Sequence, residues 1–500
     1  MGIIFKQSLK NTFIIYLGFL IGGINTLILY DRFLTSEYYG LAQYIFAASN
    51  IVTPLIAFGV HFSIIKFFSA YKSKKERDRF LSTFLFLPLF IAIPIGFFWD
   101  YFHNLIMSYV AQSNVKENLI VESYTFYIYV VAVCCAYFEV FYAWAKVQMQ
   151  SVFGNTLKEL YNRAATMMML FAVAFGFFGK EDFLFYMSLA YVLRTILMML
   201  YAFKLYFPKI SFSLPENFGE VVKYTVYILL AGSAGAIVLD IDKVMIPGKE
   251  GFQVAAFYTV ALFIGSFIEA PSRAMTQILQ PLTSKSINEE NTNEVKSLYK
   301  KSSINLLLVG GLFFVLVNSN VTELFKILPN KGYAGGELVV LMISSAKLFL
   351  MLLGNNGAII NNSKFYRVTL PMGLGMALSV YYLNNYFYYT LGLGTDGLAL
   401  STLLVTLLVG MFRLWFVHHK MSMNPFTNKT ALIIIQILVF YLVFNAWNFN
   451  VPSFYLGDYA IHPLVNIILK SIIIVPVYLF LGYKLNISNQ INNLINRRLK

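Results

Sequence analysis

Few charged residues interrupt the apolar sequence of this chain, and those that do are the ones able to carry chemistry. In IVLDIDKVMIPGKEGFQVAAFYTV, residues 237–260, an apolar run ends in Asp240, Asp242 and Lys243 before a short Pro/Gly turn. Two carboxylates so placed offer hard oxygen donors, which suit a sodium ion or a proton better than a soft metal. Asn384, Asn385 and Thr402 supply further oxygens for such a coupling-cation site. The competing reading is structural: the carboxylates fall at a helix C-terminus, whose partial negative charge disfavours them, and Lys243 or a lysine on the following turn compensates.

Other positions invite phosphate chemistry. Glu269 and Arg273 are four apart with the acid first, the favourable order for an ion pair along a helix. Arginine's planar fork also suits two-point binding of a phosphate, and Lys66 is a second candidate unless it merely snorkels to the membrane surface. Lys347, Glu139, Arg194 and Lys470 lie deeper in apolar runs. A charge near the centre of a bilayer costs about 2.5–3.5 kcal/mol on insertion scales, so each needs a partner or a task. Glu139 and Arg194 are expected to pair. Lys347 has no acid in its own run, the nearest being Glu337 more than two turns away, and it ranks first as ligand of an anionic headgroup.

The elements that must hold these residues follow from composition. Hydrophobic residues make up 58% of the 500 and charged residues 12%, and mean hydropathy is +0.66, which is membrane-protein usage. Apolar blocks of about 20 residues, long enough to cross roughly 30 Å of hydrocarbon, recur from end to end. We count about 14 spans, near 8–30, 40–66, 80–99, 121–146, 161–178, 183–204, 219–243, 252–274, 302–319, 335–360, 366–386, 392–417, 430–448 and 463–483. The expected fold is therefore all-α and polytopic, with the first span retained rather than cleaved as a leader. Lys6 stands where a myristoylation signal wants Ser or Thr.

With a cytoplasmic N-terminus, most Lys and Arg residues fall on the cytoplasmic side, including KSKKERDR at 72–79 and the tail ending NRRLK. Only Arg32, Lys116, Lys180, Lys249, Lys326 and Lys331 fall outside. The net charge of +14 is then a topology signal and an attraction for anionic membrane lipids, and nucleic acid is not needed. Both termini are expected in the cytoplasm, with the protein in the cytoplasmic (inner) membrane.

A weak internal repeat relates 30–52 to 239–265: each ends a span on an acid-base dipeptide, Asp31-Arg32 or Asp242-Lys243, turns, and restarts on Ala42/Tyr44 or Ala256/Tyr258. The repeat unit is six spans, an even number that preserves orientation, so the halves are expected to be related by an axis along the membrane normal. This gives an N-terminal lobe over 1–210, a C-terminal lobe over 211–420, and two additional spans with a tail over 421–500. Gln43, Asn50, Thr53, Ala57 and His61 share one helical face in the second span, and Thr259, Ser266, Glu269 and Arg273 share one in the eighth. Such stripes line a wet cavity or glue helices together.

LTSEYYGLAQY (34–44) with AFGVHFSIIKFF (57–68), the LDIDKVMIPG to FYTVA passage, and LGTDGLALSTLLV (393–405) resemble the polysaccharide biosynthesis flippases. Their superfamily also holds multidrug extruders and the lipid II flippase. The resemblance implies two six-helix lobes around a cavity that opens alternately to each face. It implies as cargo a polyprenyl-pyrophosphate-linked oligosaccharide, with other polysaccharide assembly proteins as partners, and no cofactor beyond a coupling sodium ion or proton.

Rival readings are a cation-coupled multidrug extruder, a scramblase or scaffold, and a glycan polymerase. A polymerase is disfavoured because external connections are short. Asp240-x-Asp242 spells a glycosyltransferase metal motif, but no soluble domain accompanies it. No Gly-rich phosphate loop or nucleophile set is evident, adjacent Cys134 and Cys135 build neither a disulfide framework nor a zinc site, and His61, His103, His418, His419 and His462 are scattered. No enzymatic activity is expected.

Overall fold

The computed structural model describes residues 2–211, 213–328, 331–333, 335–449, 451–453, 455–456, 459–488 and 492. They are almost entirely helical, apart from a two-residue pairing of Tyr455–Leu456 with Tyr459–Ala460. Hydrocarbon offers no partner for backbone polar groups, so a helix that satisfies its own is the spanning form such apolar runs take. The expected end of the chain, NRRLK, lies outside the described residues.

Among the described residues, 11 helices are long and apolar enough to cross a membrane, or up to 12 if the bent pair Glu337–Leu352 and Asn356–Asn362 is one span. The expected count of about 14 exceeds the larger of these figures by two. The other two expected spans are helical as well, over 152–174 and 369–390. The first carries Lys158, Glu159 and Arg163, and the second ends in NNYFYYT, so each is more polar than its neighbours.

The chain divides into two compact units, 1–259 with 370–381 and 260–369 with 382–500. In the first, Ser36–Ala57 packs against Thr125–Val147 and Phe218–Met245. Small hydroxyls join the helices: Ser49 Oγ donates to the Ile128 carbonyl (3.1 Å), Thr195 Oγ1 to that of Cys134 (2.9 Å), and Ser63 and Thr225 share a 2.6 Å bond. Such bonds matter where no hydrophobic force draws helix to helix. An aromatic core of Phe80, Phe84, Phe138 and Trp144 fills the space beside them.

Two positions fix how the second and eighth spans start. A Cβ on Gly40 would stand 1.8 Å from the carbonyl oxygen of Phe252, so only glycine permits this crossing. The buried Asn118 side chain staples the turn before Phe252: Nδ2 donates to the carbonyls of Pro247 (3.1 Å) and Glu250 (2.8 Å), and Oδ1 accepts from the Phe252 amide (3.0 Å).

In the second unit the long helix Thr292–Ile327 is the spine, and the last two helices, Asn428–Ala446 and His462–Lys484, pack onto it. Gly310 and Gly311 admit Met351 on one side and Ile437 with Tyr478 on the other. The buried Lys470 donates to the carbonyls of Ser319 (2.9 Å) and Phe444 (3.2 Å), joining all three helices. The expected additional spans thus contribute to this unit's core, which Leu307, Leu308, Ile433, Ile437 and Ile474 build.

Replacing Asn118 by alanine is expected to lower stability by about 2 kcal/mol or more, since three buried backbone groups lose their partner. Gly40→Val should be worse. Thermal unfolding of the detergent-purified protein measures both; a Gly40→Val protein that melts like the parent would contradict the crossing described.

Candidate functional site

Intramembrane charges assemble into three groups. The first is built on the eighth span, where Phe252–Ser266 ends in a 3-10 turn, Phe267–Glu269, and the helix Ala270–Asn288 follows with Pro271 in its first turn. Proline there has no amide to waste, which lets the chain restart as a helix. Glu269 stands at that restart, close to the positive end of the new helix dipole. Arg273 lies one turn on, its Nε 3.4 Å from Glu269 Oε1, as the i, i+4 spacing predicts. The middle of Glu337–Leu352 brings Lys347 Nζ to 2.6 Å from Glu269 Oε2.

This corrects one expectation and sharpens another. Lys347 is paired, by an acid from a different helix that linear sequence does not show. Glu269 bridges two cations, so the group holds two positive charges against one negative. Its members differ in access: the Lys347 side chain is 19% exposed and that of Arg273 is 45% exposed.

The second group surrounds Glu139. Its expected partner was Arg194, but Lys158 takes that place at 2.6 Å. Arg194 instead lies over Phe138 (4.2 Å) and Tyr191 (4.8 Å) and donates from Nη2 to Cys135 Sγ (3.3 Å). Delocalised guanidinium charge tolerates such aromatic company better than an ammonium does. Lys146 is laid over the Tyr142 ring at 3.8 Å. Lys158 was legible in sequence only as a topology cation; its place on the charged, weakly apolar 152–174 helix was the signal for more.

The third group answers the question raised by Asp240 and Asp242. Lys243 Nζ donates to Asp240 Oδ1 at 2.7 Å, the compensation that a carboxylate at a helix C-terminus needs. Asn50 Nδ2 donates to Asp240 Oδ2 at 3.1 Å, and the buried Tyr258 hydroxyl donates to Asp242 Oδ2 at 2.6 Å. Asp240, Asp242 and Asn50 belong to the first compact unit, whereas Asn384, Asn385 and Thr402 belong to the second. Among the described residues, no cluster of three or more His, Cys, Asp or Glu has the arrangement to hold a metal ion.

His61 is set apart from its expected stripe, and Lys66 lies on the same helix beyond the break. The helix Ser36–Ala57 stops at Phe58 and Gly59, both left-handed, and Val60–Phe67 starts afresh. Asn50 and Thr53 therefore lie before the break, and His61 after it. The imidazole of His61 lies 4.1 Å from the Phe62 ring at a 39° tilt, and the ammonium of Lys66 lies 3.8 Å over the Tyr224 ring. The eighth-span stripe is broken likewise, at 267–269.

Comparison with solved structures defines the class. The chain is similar to the lipid II flippase MurJ in an inward closed conformation, with a TM-score of 0.68 at 13% identity, covering 97% of this chain and 100% of that one. It is also similar to an inward-facing multidrug resistance MATE family transporter of the MOP superfamily, with a TM-score of 0.61 at 15% identity, covering 82% and 94%. A MOP superfamily transporter from Pyrococcus furiosus gives 0.56 at 14% identity, covering 84% and 95%. At such identities these likenesses show the fold, which is that of MurJ and the MATE transporters. The polysaccharide biosynthesis protein family matches residues 8–272, just over half of the chain, and the protein belongs to that family. Curated protein sequences give no significant match.

Glu269→Gln should cost about 1–3 kcal/mol of stability, because two partly buried cations lose their common partner. Adding Lys347→Met should restore part of that loss, with a coupling of about 1 kcal/mol in a double-mutant cycle. Additive losses in thermal unfolding would show that the 2.6 Å contact does not couple the two residues.

Proposed function

We propose that this protein is a flippase, moving a polyprenyl-pyrophosphate-linked oligosaccharide across the cytoplasmic membrane by alternating access. The observation that carries the reading is the Glu269 group, where Lys347 and Arg273 together outnumber the acid and Arg273 is almost half exposed. An anionic pyrophosphate matches that surplus. The guanidinium gives directional contacts to phosphate oxygens, while Glu269 holds both cations in register. Membership of the polysaccharide biosynthesis family and a fold shared with a lipid II flippase support a lipid-linked cargo. A cationic drug would face two positive charges here, which disfavours the multidrug reading.

No bond in the cargo is made or broken in this mechanism. The charged headgroup is withdrawn from hydrocarbon into a polar passage, which removes much of the cost of carrying it through the bilayer. Differential binding of the headgroup in the two conformations shifts their populations. Lys66 supplies a further cation, and Asn50 and His61 supply polar contacts for sugar or phosphate.

The reading includes a coupling cation at Asp240 and Asp242. Lys243 and Asn50 already engage both oxygens of Asp240, so an arriving cation would have to displace one of them. Orientation, with both termini cytoplasmic, rests on the charge asymmetry of the connections.

Arg273→Ala and Lys347→Ala are each expected to abolish export of the cell's surface glycan at unchanged protein level. Normal export by both variants would refute the phosphate clamp. Asp240→Asn with Asp242→Asn should uncouple transport from an imposed sodium or proton gradient in proteoliposomes; gradient-independent transport by the parent protein would remove the coupling role alone.

A further inference from the structure

We propose a binding site for one zwitterionic aminophospholipid, of the phosphatidylethanolamine type, beside the helix Lys74–Phe86 in the first unit. Two cavities lie along this helix, lined by different residues, and differ in chemistry. A polar pocket of about 220 Å³ is lined by Tyr71, Glu76, Arg79, Pro215, Glu216 and Asn217. One helical turn beyond Arg79 begins an apolar groove of about 540 Å³, running from Thr83 past Phe86, Phe90 and Ile93 to Pro94 and closed laterally by Leu214. Polar head compartment and apolar tail compartment thus follow one another along the same span, Lys74–Phe97.

The dimensions suit one leaflet. Thr83 to Pro94 is 12 residues of mostly helical chain, a rise of about 16 Å, which is about half of a roughly 30 Å hydrocarbon core. The opposite wall is fastened to the helix and not merely adjacent to it. Tyr206 donates its hydroxyl to Asp78 Oδ1 (2.7 Å), Ser82 Oγ donates to the Lys209 carbonyl (3.2 Å) and accepts from the Ser211 amide (3.2 Å), and Tyr71 donates its hydroxyl to Asn217 Oδ1.

Charge selects the headgroup. Glu76 is the reciprocal member of a capping box with Ser73, its carboxylate accepting from the Ser73 amide at 3.2 Å. Arg79 and the exposed Glu216 remain as the pocket's pair of opposite signs. A lipid phosphate meets Arg79 and an ammonium meets Glu216, whereas a purely anionic headgroup faces two carboxylates against one guanidinium. Lys72, Lys74 and Lys75 lie exposed on the neighbouring turn and outside the lining. The site is independent of the cargo reading, since none of its residues belongs to the Glu269, Glu139 or Asp240 groups.

The test is native mass spectrometry of the full-length protein, purified in detergent and incubated with equimolar phosphatidylethanolamine and phosphatidylglycerol. The parent protein should retain the former over the latter by roughly tenfold, the ratio expected of one additional charge-assisted contact. Glu216→Gln should erase that preference, Arg79→Gln should lower retention of both lipids, and Ile93→Trp, which fills the groove, should lower retention whatever the headgroup. Unchanged thermal unfolding confirms that the variants fold; for one that does not, the parent protein's own selectivity decides. Equal retention of both lipids by the parent protein, or an excess of phosphatidylglycerol, would overturn the proposal.

Discussion

A charge in hydrocarbon must find a partner, and that constraint organises this protein. Water is absent from the bilayer core, so an isolated ammonium or carboxylate is either neutralised or withdrawn from lipid. Each deep charge obeys it by a different route. Glu139 takes Lys158 from another helix, Asp240 takes Lys243 from its own, and Lys470 takes two backbone carbonyls. Arg194 spreads its charge over two aromatic rings. Helix packing follows, because each inter-helix partnership fixes the rotation of the helices that supply it.

Backbone breaks serve the same end. A continuous helix presents a polar stripe at a fixed inclination, and both spans bearing such stripes are interrupted, one by the left-handed pair Phe58-Gly59 and the other by a 3-10 turn ahead of Pro271. Each break re-aims the residues that follow it. Glu269 gains in addition the favourable end of a helix dipole, which helps to hold a carboxylate charged where solvent is scarce. Interrupted helices are tolerated at membrane depth only where neighbouring protein or a wet cavity satisfies the freed groups.

What sequence made legible follows from which interactions are local. Helical spans, the Glu269–Arg273 pair and the Asp240–Lys243 pair depend on length, hydropathy or a spacing of three or four, and all were readable. Lys347 with Glu269 and Lys158 with Glu139 join residues 78 and 19 positions apart, on helices whose rotation only packing decides. Asn118 was missed for a similar reason: one asparagine in a polar connection gives no sign that it will saturate a turn about 130 residues downstream. The break at Phe58 was hidden because a left-handed phenylalanine before glycine leaves the polar periodicity intact while ending the helix.

In the proposed reading, an accessible guanidinium rather than the mere presence of charge marks the recognition site. Asp240 is matched by Lys243, Glu323 by the exposed Lys326 at 2.8 Å, and the enclosed Lys470 is spent on carbonyls. Lys146, beside Glu139, has its ammonium laid against Tyr142. At Glu269 the second cation is a guanidinium: Arg273 is 45% exposed while its acid is shared with Lys347, whereas the comparably exposed Lys158 at Glu139 is an ammonium held in a 2.6 Å pair. A structural pair has no need of a third member, and a shared carboxylate weakens its hold on each cation. In the proposed reading an arriving phosphate competes for Arg273 without stranding Glu269, because Lys347 remains to neutralise it, so the anion would bind without leaving a bare charge at any stage.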